Sequence, residues 1–120
     1  MFYMSTDNLH QELNKVKDTA SAYKRKYYDA VVFTKLFNNG LTQITCFDKT
    51  GKGYVIGVYS NTVAIITTKD GDVNKLLFST MFAKDSILYG QLSFLASQVK
   101  LNFHDIQTIK IKSPKSPPEN

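Results

Sequence analysis

A thiol, an imidazole and a carboxylate are the groups from which a covalent hydrolase is built, and the chain offers Cys46 with the adjacent pair His104 and Asp105. In such a set the imidazole would take the thiol proton and the carboxylate would orient the ring. Cys46, however, sits among apolar, strand-forming residues, where a lone cysteine serves as a small core hydrophobe. Two histidines and one cysteine fall short of the four paired ligands of a structural zinc site. Asp70, Asp72 and Asn74 have the one-three-five spacing of a calcium loop. Position six would be Lys75 rather than Gly and position twelve Met81 rather than Glu, so the segment reads as a turn. Gly51-Lys52-Gly53 lacks the Lys-Ser/Thr and the following helix of a phosphate loop. The inventory predicts no enzyme, no cofactor and no metal.

What remains is positive charge. Tyr23-Lys24-Arg25-Lys26-Tyr27-Tyr28 interleaves three cations with three aromatic rings. Cations of this kind neutralise phosphates while rings stack on unpaired bases. Tyr23 and Tyr27 also fall on an apolar helical stripe and read as core, and cations in a last helical turn suit the helix dipole by themselves. A second group, Lys100, Lys110, Lys112 and Lys115, lies along the final strand and tail, where lysines equally protect a sheet edge from aggregation. The candidate nucleic-acid contacts are therefore Lys24, Arg25, Lys26 and Tyr28, with Lys49, Lys52, Lys110 and Lys112 beside them. Fifteen basic residues against ten acidic ones give a net charge of +5, which favours a polyanion, either nucleic acid or an anionic membrane surface, as partner.

The elements that must carry these side chains follow from periodicity. Ser5, Thr6 and Asp7 offer capping oxygens and an acidic first turn. From there Leu9, Leu13, Val16, Ala20, Tyr23 and Tyr27 recur at steps of four and three, which predicts one amphipathic helix from about Asp7 to Tyr28. Strands are then expected over Ala30–Phe37, Leu41–Phe47, Tyr54–Tyr59, Val63–Thr68 and Val73–Phe82. Turns lie between them at Asn38-Asn39-Gly40, Asp48 to Gly53, Ser60-Asn61-Thr62 and Lys69 to Asp72. Gly57 reads as a bend within its strand. Residues 83–100 fit two patterns: Leu88, Leu92, Leu95 and Val99 make a helical stripe, which Gly90 weakens by about 1 kcal/mol relative to Ala, and a strand through Ser86–Leu92 is the alternative. A last strand is expected over Val99–Lys112, where Ile109 and Ile111 alternate with Lys110 and Lys112.

A chain of 120 residues with 42% hydrophobic and 21% charged composition has room for one folded domain. It is expected to occupy residues 1–112, with 113–120 a disordered tail rich in Ser and Pro. A single cysteine excludes an intrachain disulfide and suits a reducing, cytoplasmic setting. Residues 1–8 lack a signal-peptide pattern, and no apolar run approaches the roughly 20 residues that span a bilayer.

Short strands behind one helix, with the segment Asn102-Phe103-His104-Asp105-Ile106-Gln107-Thr108-Ile109, resemble the small barrels of the Sm and Hfq family, in which a related His-x-Ile-x-x-Ile segment joins the last two strands. In size, composition rich in Lys, Asn, Ile, Tyr and Phe, and element order across residues 1–112, the chain also resembles the PrgU family. Those are small regulators of Gram-positive conjugative plasmids with a PUA-like barrel. Both resemblances imply an α+β fold, with the N-terminal amphipathic helix packed on a small, strongly bent, mostly antiparallel β-barrel. The PrgU resemblance implies an RNA-binding regulator of gene expression; it transfers no particular residue. A protein-interaction module is the competing expectation, with Leu9 to Tyr27 as the seam of a homodimer.

Overall fold

The computed structural model describes residues 1–16, 38–93 and 96–114. Among these residues, nine strands form two antiparallel sheets beside one α-helix. Strand β1 (Phe2–Met4) leads into α1 (Thr6–Leu13), followed by β2 (Gln43–Phe47), β3 (Gly53–Gly57), β4 (Val63–Thr68) and β5 (Val73–Leu77). A short 3-10 turn, Phe78–Thr80, precedes β6 (Phe82–Lys84), β7 (Ile87–Gln91) and β8 (Gln98–Asn102). A second 3-10 turn, Phe103–Asp105, precedes β9 (Ile106–Lys112). The larger sheet has the order β3-β2-β1-β9-β4-β5 and the smaller β6-β7-β8.

The helix starts where its capping chemistry predicts. Ser5 Oγ accepts the Asn8 amide at 3.0 Å, and Asp7 lies in the first turn, where a carboxylate meets the positive end of the dipole. It ends earlier than its apolar spacing suggests. After Leu13 the amides of Lys15 and Val16 bond three residues back, to Glu12 and Leu13, tightening the last turn. The expected helix is thus interrupted at residues 14–16, and its remainder from 17 to 28, with Ala20, Tyr23 and Tyr27, lies outside the described residues, as does the expected strand Ala30–Phe37.

Within the described residues the apolar periodicity resolves into one core. Phe2, Met4, Ile44, Cys46, Ile56, Ala64, Ile66, Leu76, Ile109 and Ile111 line the inner face of the large sheet, where Leu9 and Leu13 of α1 and Leu88 of β7 meet them. Leu9 and Leu13 are therefore enclosed by their own chain. Where β1 gives way to α1, the Thr45 amide loses its strand neighbour, and the buried Glu12 carboxylate accepts that amide at 3.3 Å while pairing with Lys15 at 2.7 Å.

Two expected strands are each divided. Val73–Phe82 breaks at Phe78, whose 3-10 turn is held by Asn39: its Nδ2 donates to the carbonyls of Phe78 and Met81 at 2.8 and 2.9 Å. Asn39 is thus a buried tie rather than merely a turn residue, whereas Gly40, with φ of 77°, keeps the turn conformation expected of it. Val99–Lys112 breaks at Phe103, so that β8 and β9 fall in different sheets. The ambiguous segment 83–100 holds strands β7 and β8, and Gly90 explains itself there. A Cβ at Gly90 would stand 3.0 Å from Leu76 Cδ1 and Met81 Cγ, so the glycine lets the small sheet lie close against the large one.

The large sheet is curled. Strands β3 and β9 are three positions apart, about 14 Å in a flat sheet, yet Ser113 Oγ donates to the Gly57 carbonyl at 3.5 Å. Ser113 Oγ also lies 3.5 Å from Thr62 Oγ1. Among the described residues no ladder joins β3 to β5, and the sheet ends as an open strand order. Gly57 sits at this meeting point with the Tyr59 ring against it, where a Cβ would come within 2.8 Å of the hydroxyl.

Replacing Gly90 with Ala is expected to destabilise the fold by about 1–3 kcal/mol through overpacking. Asn39→Ala should cost a similar amount, about 1–3 kcal/mol, by taking the side-chain donor from the Met81 carbonyl and leaving the Phe78 carbonyl only the Met81 amide. Urea denaturation of each variant against the parent measures both.

Candidate nucleic-acid interface

Because side chains alternate along a strand, each residue of the large sheet that turns away from the core faces outward with its cross-strand partners. The ladders set Phe47 opposite Tyr3, Tyr3 opposite Lys110, Lys110 opposite Ile65, and Ile65 opposite Lys75. One outward row therefore reads Phe47, Tyr3, Lys110, Ile65, Lys75. A second runs Lys112, Val63, Leu77, and a third Thr108, Thr67, Val73. Lys75, Lys110 and Lys112 are exposed, while Tyr3, Phe47 and Ile65 are half-buried. From Lys110 the Cα of Lys112 is about 7 Å along the strand, and that of Lys75 about 10 Å across two strand spacings. The lysine stems can lie along Ile65 and Val63 with their ammonium groups in water.

This surface carries no acid at any outward position of the described strands. The ion pair among the described residues is Lys15 with Glu12, so Lys75, Lys110 and Lys112 are not neutralised by a described carboxylate. Acidic groups gather at the far end of the sheet instead: Asp70 and Asp72 in the β4–β5 turn, and Asp105 at the start of β9, whose carbonyl accepts the Lys69 amide at 2.8 Å. Charge is thus graded along β9, from Asp105 at its start to Lys112 at its end.

Lys49 and Lys52 lie in the β2–β3 turn, which leaves the sheet beyond Phe47, at the Lys112 end by register. Asp48 organises that turn. Its Oδ1 accepts the Thr50 hydroxyl and amide at 2.6 and 2.9 Å and the Lys52 amide at 3.0 Å, and Gly51 takes a φ of 88° to close the bend. The Thr50 hydroxyl, ahead of the backbone donors, holds the Asp48 carboxyl below its usual range. Its charge is spent inside the turn, and both lysines are exposed, Lys52 with its ammonium 5.5 Å from the Tyr54 ring centre.

No protein-family model matches the chain, nor does any curated protein or solved structure.

Of the residues expected to contact nucleic acid, Lys110 and Lys112 share the outward face, and Lys49 and Lys52 stand at its end. Lys24, Arg25, Lys26 and Tyr28 lie outside the described residues. Lys100 belongs to the small sheet, opposite Tyr89 and 5.8 Å from its ring centre, and does not join the Lys110 face. Sequence reasoning missed Lys75, Tyr3 and Phe47. Alternation in Val73-Asn74-Lys75-Leu76-Leu77 places Lys75 on a wet face, but only the register of β5 on β4 and of β4 on β9 sets it level with Lys110.

Cys46 is fully buried in the core, and burial pushes its thiol up to about 11. His104 and Asp105 are exposed in the second 3-10 turn, where the Asn102 side chain accepts the His104 amide at 2.9 Å. Asp70 accepts from the Thr68 hydroxyl, which holds its carboxyl low, and the β4–β5 turn closes as a hairpin. No group of three or more His, Cys, Asp or Glu gathers for a metal, and no helix is long and apolar enough to cross a membrane, among the described residues.

Cys46 should resist iodoacetamide in the native protein at pH 8 and react once the chain is unfolded, read as mass gain over time. Since folding raises this thiol's pKa, its contribution to stability is intact below the free thiol's value of about 8.5. That contribution is lost as pH rises toward 11. Melts of the parent over that interval should fall more steeply than those of Cys46→Ala.

Proposed function

We propose that the protein is an RNA-binding regulator of gene expression that engages its target through the outward face of the large sheet. The observation that carries this reading is the surface bearing Lys75, Lys110 and Lys112, with no acid at the outward positions of the described strands and none of these lysines paired with a described carboxylate. Lysines held about 7–10 Å apart on a rigid sheet meet a polyphosphate backbone at several points and release its counterions. Lys49 and Lys52 extend the positive surface at the Lys112 end, and Lys24, Arg25, Lys26 and Tyr28 remain candidate contacts on sequence grounds. The net charge of +5 supports the same partner class. The acids at the Asp105 end favour a strand that lies toward the Lys112 end and stops short of the β4–β5 turn.

The curl that brings Ser113 to Gly57 supports a barrel of the PUA-like or Sm-like kind, and with it the resemblance to the PrgU regulators of Gram-positive conjugative plasmids. A cytoplasmic setting belongs to this proposal, as does the absence of catalysis, metal and membrane contact. The dimer seam is the weaker reading because Leu9 and Leu13 are buried against the chain's own sheets.

Mobility-shift titration with a pool of short RNAs at two salt concentrations tests the proposal. Affinity should fall steeply with salt, and a Lys75/Lys110/Lys112 triple alanine variant should bind weakly, with a salt slope reduced by about 2. A companion Lys24/Arg25/Lys26 triple alanine variant separates the two basic groups. Salt-independent affinity, or full binding by the sheet variant, would remove this surface from the function.

A further inference from the structure

The outward face is not only basic. Tyr3 stands between Lys110 and Phe47 in a single cross-strand row, so two aromatic rings border the lysines. Six other described rings are taken up in pairs: Phe2 with Tyr54 at 5.3 Å, His10 with Phe103 at 5.1 Å, and Phe82 stacked on Tyr89 at 4.9 Å and 11°. Tyr3 and Phe47 have no ring partner among the described residues. They are half-buried, so their bases are fixed while part of each side chain meets solvent. The row Phe82, Tyr89, Lys100 on the small sheet has similar composition, but its two rings already use each other's faces.

Resting on the RNA-binding reading above, we infer that the ligand of this face is a single strand whose unpaired bases stack on Tyr3 and Phe47 while its phosphates lie on Lys110 and Lys112. A duplex keeps its bases stacked on one another inside the helix and offers an outward sheet phosphate, ribose and base edges but no base faces. Ring faces beside lysines gain nothing from that. A single strand presents a charged edge and an aromatic edge side by side, and the row offers both, one strand spacing (about 5 Å) apart. The same arrangement tolerates any base, because every base has a flat face. The specificity implied is therefore for strandedness more than for sequence.

The chain contains no tryptophan, so Tyr3→Trp introduces one indole reporter at the inferred stacking position. Titrating this variant with an oligouridylate of on the order of ten nucleotides should quench its emission along the binding curve; a fully paired RNA duplex should leave emission unchanged and bind more weakly. Tyr3→Ala and Phe47→Ala should each lose about 5- to 100-fold in affinity for the single strand while keeping the salt slope, with thermal melts confirming the fold. Phe47→Tyr, which retains a ring, should bind like the parent. Binding that depends on salt and on the three lysines, yet leaves the indole unquenched or favours the duplex, overturns the stacking inference and spares the RNA reading. No binding of either RNA overturns both.

Discussion

Three residues hold the large sheet together. Strand β1 lies between β2 and β9, so Phe2, Tyr3 and Met4 join the β2–β3 hairpin to the β9-β4-β5 ladder. Phe2 and Met4 send their side chains into the core, at 1% and 6% exposure, and the strand is anchored by burial as well as by backbone pairing. The remaining side chain, Tyr3, must then point outward, because alternation leaves it no other face. Its place beside Lys110 is a consequence of the same register that buries its neighbours. A shift by one residue would carry Tyr3 inside and expose Phe2 and Met4, which is why this register is strongly specified.

From that constraint the rest follows. The contact between β1 and β2 is a single opposed pair, Tyr3 with Phe47, and beyond it the Thr45 amide is taken by Glu12 of the helix. Beyond so short a junction the β2–β3 hairpin crosses toward β9, and Gly57 meets Ser113. The inner face receives α1 and the small sheet, the latter seated closely through Gly90. The outer face exposes Lys75, Lys110 and Lys112, while Asp70, Asp72 and Asp105 collect at the opposite end of β9.

Much of this was legible in the chain. The hairpins β2–β3 and β4–β5 follow from alternating apolar residues closed by Asp48 to Gly53 and Lys69 to Asp72, since local pairing needs only local signals. The wet, basic face of β9 was legible for the same reason. Strand β1 was not: three residues show no usable period, and its existence depends on partners more than forty residues away in sequence. The helical spacing from Leu9 onward continued past the end of α1 at Leu13, where the backbone tightens into i+3 bonds that an apolar pattern does not encode. Leu88 and Val99 fitted a helix or a strand equally well, and Gly90 decided between them through a close approach to Leu76 and Met81 that only the packed structure reveals. The continuous strands expected over Val73–Phe82 and Val99–Lys112 failed for a related reason. Buried ties such as Asn39 to Phe78 and Met81 turn the chain from one sheet to the other, and their partners are distant in sequence. Of the candidate interface, the lysines of β9 could be read individually, but the level placement of Lys75, Lys110 and Tyr3 is a property of three ladders taken together.

The proposed function depends on one surface: the outward row that β1 completes. Amide and side-chain chemical-shift mapping of the isotope-labelled protein, titrated with a short oligouridylate, tests it most directly. This function predicts shifts concentrated at Tyr3, Phe47, Lys75, Lys110 and Lys112, fading toward Asp70, Asp72 and Asp105. Shifts confined to the small sheet around Tyr89 and Lys100, or to residues 17–37, with the outward row unmoved, would contradict it.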